Sequence, residues 1–387
     1  MEPGRSKAQR KAIQLMTVKN VLVVGGGITG TIASIALSQK GVKVTLIEIS
    51  PQWFGVGHGI TVQGNALKVL DQIGALDRLG AGFSFSGLNV YDASGAVLAE
   101  TEMPHTGGQE YSSAMGILRS ELQTTLVEMC HELNVEVRLD TEMVAFENHS
   151  DSVDVTFASG AVERFDIVIA ADGIRSKTRA LLGIHHDKKP TGLGIWRNVT
   201  KRSPEMSHAS VYFNGPSYKA GFTPISETHC YAYVLTDPKR VDNGLSNAQE
   251  MKRLLEGYHG EFDFIRENIS EDDYMNFQAI EWIFVDDQPW HQGRVILIGD
   301  AVHACPPLIA QGAAQCSEDA LLLADYVTRD GDIETLFTEF TERRKPRIKV
   351  VVDASLQLAN WELHPDTPGA NPAALMASSL AELTKPA

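Results

Sequence analysis

Three glycines, spaced Gly25-x-Gly27-x-x-Gly30, follow the apolar run Asn20-Val21-Leu22-Val23-Val24 and open the helical pattern Ile32, Ile35, Ala36. That spacing suits a dinucleotide pyrophosphate. Gly25 permits a tight turn, Gly27 lets a phosphate approach the backbone, and Gly30 lets helix and strand pack closely. A helix starting here would turn the free N–H groups of its first turn, around Ile28 and Thr29, and its positive dipole end toward the phosphates. Glu48 closes a second apolar run, Val42 to Ile49, eighteen residues after Gly30, where a carboxylate can accept hydrogen bonds from ribose hydroxyls. A bare glycine-rich turn would lack this strand, helix and acid, so the unit reads as dinucleotide-binding, without saying which dinucleotide.

Two further constellations follow buried strands. The run Phe165 to Ala171 ends in Asp172-Gly173, with Ser176, Lys177 and Arg179 close behind. Asp172 can accept from a sugar-alcohol chain or a backbone amide while Ser176 and the basic residues meet phosphate; the alternative is an N-capped helix entry. Later, Val295 to Ile298 runs into Gly299-Asp300 and His303, then through Pro306-Pro307 to Ala310-Gln311-Gly312-Ala313-Ala314. A carboxylate at the C-terminal end of a strand sits where open α/β sheets bind ligands. The small residues open a helix whose N-terminus can face an anionic ring.

These three pieces, in this order, resemble the FAD-dependent aromatic hydroxylases, flavoprotein monooxygenases of the para-hydroxybenzoate hydroxylase type, over about residues 20 to 345. By that resemblance Gly25 to Gly30 is the ADP-binding fingerprint, Asp172-Gly173 touches FAD and the nicotinamide pyrophosphate, and Asp300 binds the ribityl chain. Arg119, in Leu118-Arg119-Ser120, matches the flavin-contacting arginine, and Gln311, Gly312 and Ala313 fall beside the ring. The family usually carries Gly-Gln-Gly-x-Asn where this chain has Ala310-Gln311-Gly312-Ala313-Ala314, which adds a methyl at Ala310 and removes an amide at Ala314. The reaction implied is a single-component one: NADH or NADPH visits and reduces FAD, O2 then gives a C4a-hydroperoxide, and an aromatic or N-heteroaromatic small molecule is hydroxylated. The cofactor carries that chemistry, so no catalytic triad is required.

The resemblance also selects substrate-side candidates. Tyr212, Tyr218 and Phe222 lie on Val211 to Thr223, the segment that runs beside the bound ring in similar enzymes. Tyr218 is the candidate for assisting proton transfer, Arg197 for a substrate carboxylate or the flavin region, and His303 for a role near Asp300. His58 and Pro307 complete the expected substrate contacts. Each has a plainer reading, as a half-buried strand aromatic, an interdomain salt bridge or a satisfied core histidine. Rival functions are an FAD-dependent reductase or oxidase without oxygen insertion, an NAD(P)-dependent dehydrogenase, and a non-catalytic flavin binder.

The elements that must position these residues suggest an α/β fold. A Rossmann-like FAD-binding domain of the same hydroxylase type is expected from 19–82, 104–187 and 288–345. An antiparallel-sheet substrate domain is inserted at 83–103 and 188–287, and 346–387 form a C-terminal helical segment and tail. Residues 1–18, with the basic cluster Arg5, Lys7, Arg10 and Lys11, read as a disordered leader. The 387-residue chain is 43% hydrophobic, enough for a sizeable core, and carries 34 Lys+Arg against 49 Asp+Glu. The resulting net charge of -15 disfavours nucleic acid and anionic membranes. No run approaches a membrane span. Cys130, Cys230, Cys305 and Cys316 show no metal-ligand spacing, so reduced thiols in a cytoplasmic enzyme, monomeric or homodimeric, are expected.

Overall fold

The computed structural model describes residues 18–53, 57–80 and 82–387, so the expected leader and its basic cluster lie outside the described residues, apart from the fully buried Val18. The first body is built on a six-stranded sheet ordered His291–Gln292, Val295–Leu297, Ile167–Ala170, β1 (Asn20–Val24), β2 (Lys43–Ile47), Glu136–Arg138. All pairings are parallel except that of His291–Gln292. Both faces of such a sheet are covered, which is why β1 reads as a continuous apolar run, with Val21, Leu22 and Val23 at 0% exposure. Helix α1 (Ile28–Gln39) leaves β1 directly and is buried from Ile28 to Leu37, packed against the helices Arg119–Glu132 and Gly312–Val327.

The strand order brings the three sequence constellations together. β1, Ile167–Ala170 and Val295–Leu297 are adjacent and parallel, so the loops at Gly25, Asp172 and Asp300 all leave the same sheet edge. They touch there: a Cβ on Gly25 would lie 2.4 Å from Ala171 O, and one on Gly299 would lie 2.8 Å from Thr29 Oγ1.

The second body is a seven-stranded, mostly antiparallel sheet ordered Met275–Trp282, Lys189–Lys201, His229–Thr236, Lys219–Pro224, Ala209–Phe213, Gly87–Asp92, Val97–Glu102. Its strands come from the middle of the chain and from one early hairpin. Phe83–Phe85, expected with that hairpin, pairs instead with Ala114–Leu118 in a small sheet that also holds Gly59–Gln63. The early part of 83–103 therefore joins neither strand of that hairpin but this separate three-stranded sheet.

Residue parity decides what this second sheet does. Cross-strand partners share a face, and the register pairs Arg197 with Tyr233, Tyr233 with Gly221, and Val211 with both Gly221 and Val90. That face turns toward the first body. The opposite parity, including Trp196, Tyr212, Phe222 and Val234, packs under the helices Asn247–Leu255 and Glu261–Asn268 as a separate core. A third core joins Ile195, Leu235 and Leu308 to the long helix Ile333–Leu363 and the terminal helix Pro372–Glu382.

Candidate active site

The glycine loop is held from behind. Gly26 O accepts from Trp53 Nε1 at 2.7 Å and Gln123 Nε2 at 2.9 Å, while Gly26 N donates to Glu48 Oε2 at 2.8 Å. Glu48 is thereby fixed at the loop, its other oxygen accepting from Ser50 N. Gly25 has φ +103, a left-handed backbone that glycine adopts without strain. A Cβ on Gly30 would lie 1.9 Å from Gly25 O, whereas one on Gly27 would meet nothing within 4 Å. The free space at Gly27 faces the start of α1, where a pyrophosphate would find unpaired amides.

Asp172 anchors the next loop by accepting from Thr178 N at 3.0 Å, and Ser176 caps the following short helix through Arg179 N. The N-cap reading of this segment is therefore also correct. Yet Asp172 Oδ1 is buried with no hydrogen-bond partner among the described residues. A buried acceptor left open in this way needs a donor, and a ribityl hydroxyl would provide one. Arg179 is not a phosphate ligand: it is buried and donates to Ala301 O and Ile174 O, bracing this loop against the Asp300 loop. Asp300 is exposed, and Cys316 Sγ lies 3.6 Å from its Oδ1.

At the far end, the helix Gly312–Val327 points its N-terminus into a cavity of about 260 Å³ bordered by Gly312, Ala313, Pro307, His58 and Arg197. Gln311 corrects one expectation. Its side chain is 1% exposed and bound to Asn65 and Gln315, so only backbone at this position can face a ring. Ala310 sits at φ +52, ψ 33, a left-handed conformation that favours glycine, the residue the resemblance implies there. Ala314 is 1% exposed in the core.

The sheet face opposite carries the polar groups. Arg197 is 9% exposed; its Nε donates to Tyr231 OH at 3.1 Å and its NH1 to Gln278 Oε1 at 3.3 Å, and it has no ion-pair partner among the described residues. His58 stacks on Tyr231 with ring centroids 5.6 Å apart. Burial lowers the His58 pKa to about 4, with Arg197 and Arg119 adding repulsion and the Gly59 hydrogen bond opposing. The ring is thus neutral, and with Nδ1 on Gly59 O at 2.8 Å the tautomer leaves Nε2 as acceptor. Burial raises the Tyr231 and Tyr233 phenols, keeping them protonated. Arg119 is exposed beside His58, its backbone N bonded to His58 O and its guanidinium unpaired among the described residues.

Several expected roles change. Tyr212 is 1% exposed, stacked on Tyr91 at 4.7 Å, and Phe222, though it borders the cavity, turns its ring onto Phe262. Tyr212 thus lies away from the cavity, whereas Phe222 shares its parity and still reaches the cavity border. Tyr218 borders a second, neighbouring cavity, which removes the geometry for proton transfer at the first. His303 is 2% exposed, with Nε2 2.5 Å from Asp319 Oδ2, which also accepts from Gly299 N. His303 therefore positions the Asp300 loop rather than touching a ligand. The residues missed, Tyr231 and Tyr233, had a signal: at i and i+2 of one alternating strand, they must share a face. Among the described residues no three His, Cys, Asp or Glu groups gather as a metal site, and all four cysteines are free.

A dinucleotide gripped at one sheet edge, with its reactive end delivered into a cavity against a second sheet, is the arrangement of a flavoprotein. Residues 19–355 match the FAD binding domain family. The putative FAD-dependent monooxygenase YetM of Bacillus subtilis is 30% identical over 91% of this chain and 96% of its own length. The 2-heptyl-3-hydroxy-4(1H)-quinolone synthase of Pseudomonas aeruginosa is 30% identical over 88% and 90%. Among solved structures, Klebsiella pneumoniae HpxO complexed with FAD and uric acid superposes with TM-score 0.78 at 21% identity, covering 95% of this chain and 92% of that one. PqsL of P. aeruginosa in complex with 2-aminobenzoylacetate gives 0.79 at 20%, covering 94% and 99%. The chain belongs to this FAD-binding family and is a flavin-dependent monooxygenase.

Proposed function

We propose that the enzyme hydroxylates an aromatic or N-heteroaromatic small molecule bearing an acidic ring oxygen, taking electrons from transiently bound NADH or NADPH and one oxygen atom from O2. The observation that carries this reading is Arg197, a buried guanidinium with no carboxylate partner among the described residues, facing the cavity beside neutral His58. A desolvated cation of this kind is stabilised by a planar anion, which its fork can meet with two hydrogen bonds. Bound FAD supplies the oxygen activation. The protein's residues do the rest: Tyr231 and Gln278 fix the guanidinium, Arg197 holds the ring oxygen as an anion, and His58 Nε2 accepts a hydrogen bond from a neighbouring ring hydroxyl. The apolar walls exclude water from the reacting carbon.

The relatives support a ring substrate by their names, which include a quinolone synthase and a 2-methyl-3-hydroxypyridine-5-carboxylic acid oxygenase. They lend none to the reductase or oxidase alternative. One glycine-rich dinucleotide fingerprint in the sequence agrees with a nicotinamide that visits without its own Rossmann unit. No helix among the described residues is long and apolar enough to cross a membrane. We read the enzyme as cytoplasmic and as a monomer or homodimer, which light scattering tests. The decisive experiment supplies labelled O2 with NAD(P)H to the FAD-loaded enzyme and a panel of phenols and hydroxypyridines. One labelled atom in the product is expected; unlabelled product accompanied by stoichiometric peroxide would overturn the reading.

A further inference from the structure

The first cavity does not end at the polar groups. A second cavity of about 650 Å³ adjoins it, and the two share Leu88, Met103, Val211, Met376 and Leu380 as common walls. Its volume lies within the roughly 300–1,000 Å³ range of small-molecule sites. One wall is the continuation of the same sheet face, where Val90, Ala99 and Phe213 follow Val211 by cross-strand parity. The opposite wall is the end of the long helix at Trp361 together with the terminal helix Pro372–Glu382. Leu98 borders the cavity with 55% of its surface exposed.

The charge at the junction is already neutralised. Lys219, which borders the first cavity, pairs with Glu362, which borders the second, at 2.5 Å, both side chains 8% exposed. An anionic group entering here would compete for Lys219 and leave Glu362 without its partner in a desolvated site. An uncharged hydrocarbon leaves the pair intact and covers Leu98, Val90, Phe213 and Trp361. We infer that the second cavity is a subsite for an apolar tail, an alkyl or prenyl chain carried by the substrate ring and threaded past Met376 and Leu380. This rests on the ring occupying the first cavity as proposed above, and it adds that the substrate is an amphiphile with an acidic ring as its head.

The test titrates the FAD-loaded enzyme with two ring series, alkylphenols and alkyl-substituted hydroxyquinolines, with chains from methyl to nonyl, reading Kd from heat and from the flavin absorbance change. Kd is expected to fall about fourfold per added methylene until the cavity is full. Ala99→Phe and Ala373→Phe, on opposite walls, should shorten the chain length at which this gain stops and raise Kd more than tenfold at heptyl. A Kd that ignores chain length in both series overturns the tail subsite, as does a loss in the variants that is uniform from methyl to nonyl. The two proposals separate cleanly. Length-dependent binding without labelled product retains the tail subsite and rejects hydroxylation of these rings, whereas labelled product from short-chain rings with a flat length profile does the reverse.

Discussion

At the residue scale, the glycines of the first loop make different demands, and substitution should separate them. Gly27→Ala introduces a methyl that meets no protein atom, so the FAD-free protein should keep its stability within about 1 kcal/mol. Its affinity for FAD should nevertheless drop at least tenfold, because the methyl occupies the phosphate approach. Gly30→Ala places a carbon 1.9 Å from Gly25 O and should lower the apoprotein's thermal midpoint as well. Calorimetry of both variants with and without FAD checks the pair; equal losses in the two would show that Gly27 also serves packing. Ala310→Gly is expected to stabilise by about 0.5–1 kcal/mol, the relief of a left-handed alanine less the added freedom of the unfolded chain.

His58 makes a pH prediction with a definite sign. Its pKa in the folded protein is about 4 against 6.5 for the free side chain, so between those values the unfolded chain binds the extra proton. Stability is therefore full above pH 6.5 and declines as pH falls toward 4, by up to about 3 kcal/mol from this group. In the FAD-free protein, His58→Asn should flatten that part of the pH–stability curve. An unchanged slope would mean that the imidazole is as accessible to protons in the folded protein as in the unfolded one.

At the scale of elements, the Asp300 loop depends on a buried network seated on two helices. Asp319 accepts from Gly299 N, His303 Nε2 and, at 2.6 Å, Arg344 Nε; the adjacent Glu318 accepts from Arg344, Arg347 and Asn65. Burial alone would raise the Asp319 carboxyl, but His303 and Arg344 hold it at about 2. Arg344→Met leaves two carboxylates without their fully buried partner and should cost about 3–5 kcal/mol. Because Gly299 hangs on the same carboxylate, FAD affinity should fall in step with stability, as denaturant titration and flavin fluorescence would show.

This network also shows where sequence reading stops. The loops at Gly25, Asp172 and Asp300 were legible because each chemistry lies within a few residues of a strand that announces itself by apolar run and turn residues. The role of His303 is not legible in the sequence because its partner Asp319 lies in the next long helix, nor is the facing of Tyr212 and Tyr231, because it depends on which strand sits beside which. Arg197 was singled out, although its lack of a carboxylate partner emerges only when every neighbouring element is in place.

For the whole molecule, two consequences follow from charge and linkage. A net charge of -15 opposes the approach of the anionic FAD, so association with the apoprotein should quicken as ionic strength rises from about 0.01 M to 0.15 M, where the Debye length shrinks from about 30 to 8 Å. Stopped-flow flavin quenching measures it; a rate that falls with salt would reveal local attraction stronger than the global field. FAD bound only by the folded form should add about 2.7 kcal/mol at a concentration of one hundred times Kd, uniting the two bodies thermodynamically. The second cavity is out of reach of the sequence because its walls come from segments as far apart as hairpin 87–102, strand Ala209–Phe213 and helix 372–382.

The alternating register of Lys219–Pro224 bears on how this lineage can diversify. Ala220 and Phe222 belong to the separate core beneath the helices, Phe222 also reaching the cavity border, while Lys219 and Thr223 border the ligand space and Gly221, on their parity, lies against Tyr233. Saturation mutagenesis along the strand should then trace a sawtooth, one set of positions policing whether the protein survives and the interleaved set deciding what it accepts. New specificities can accumulate on the second set while the scaffold is left unharmed, within a segment of six residues.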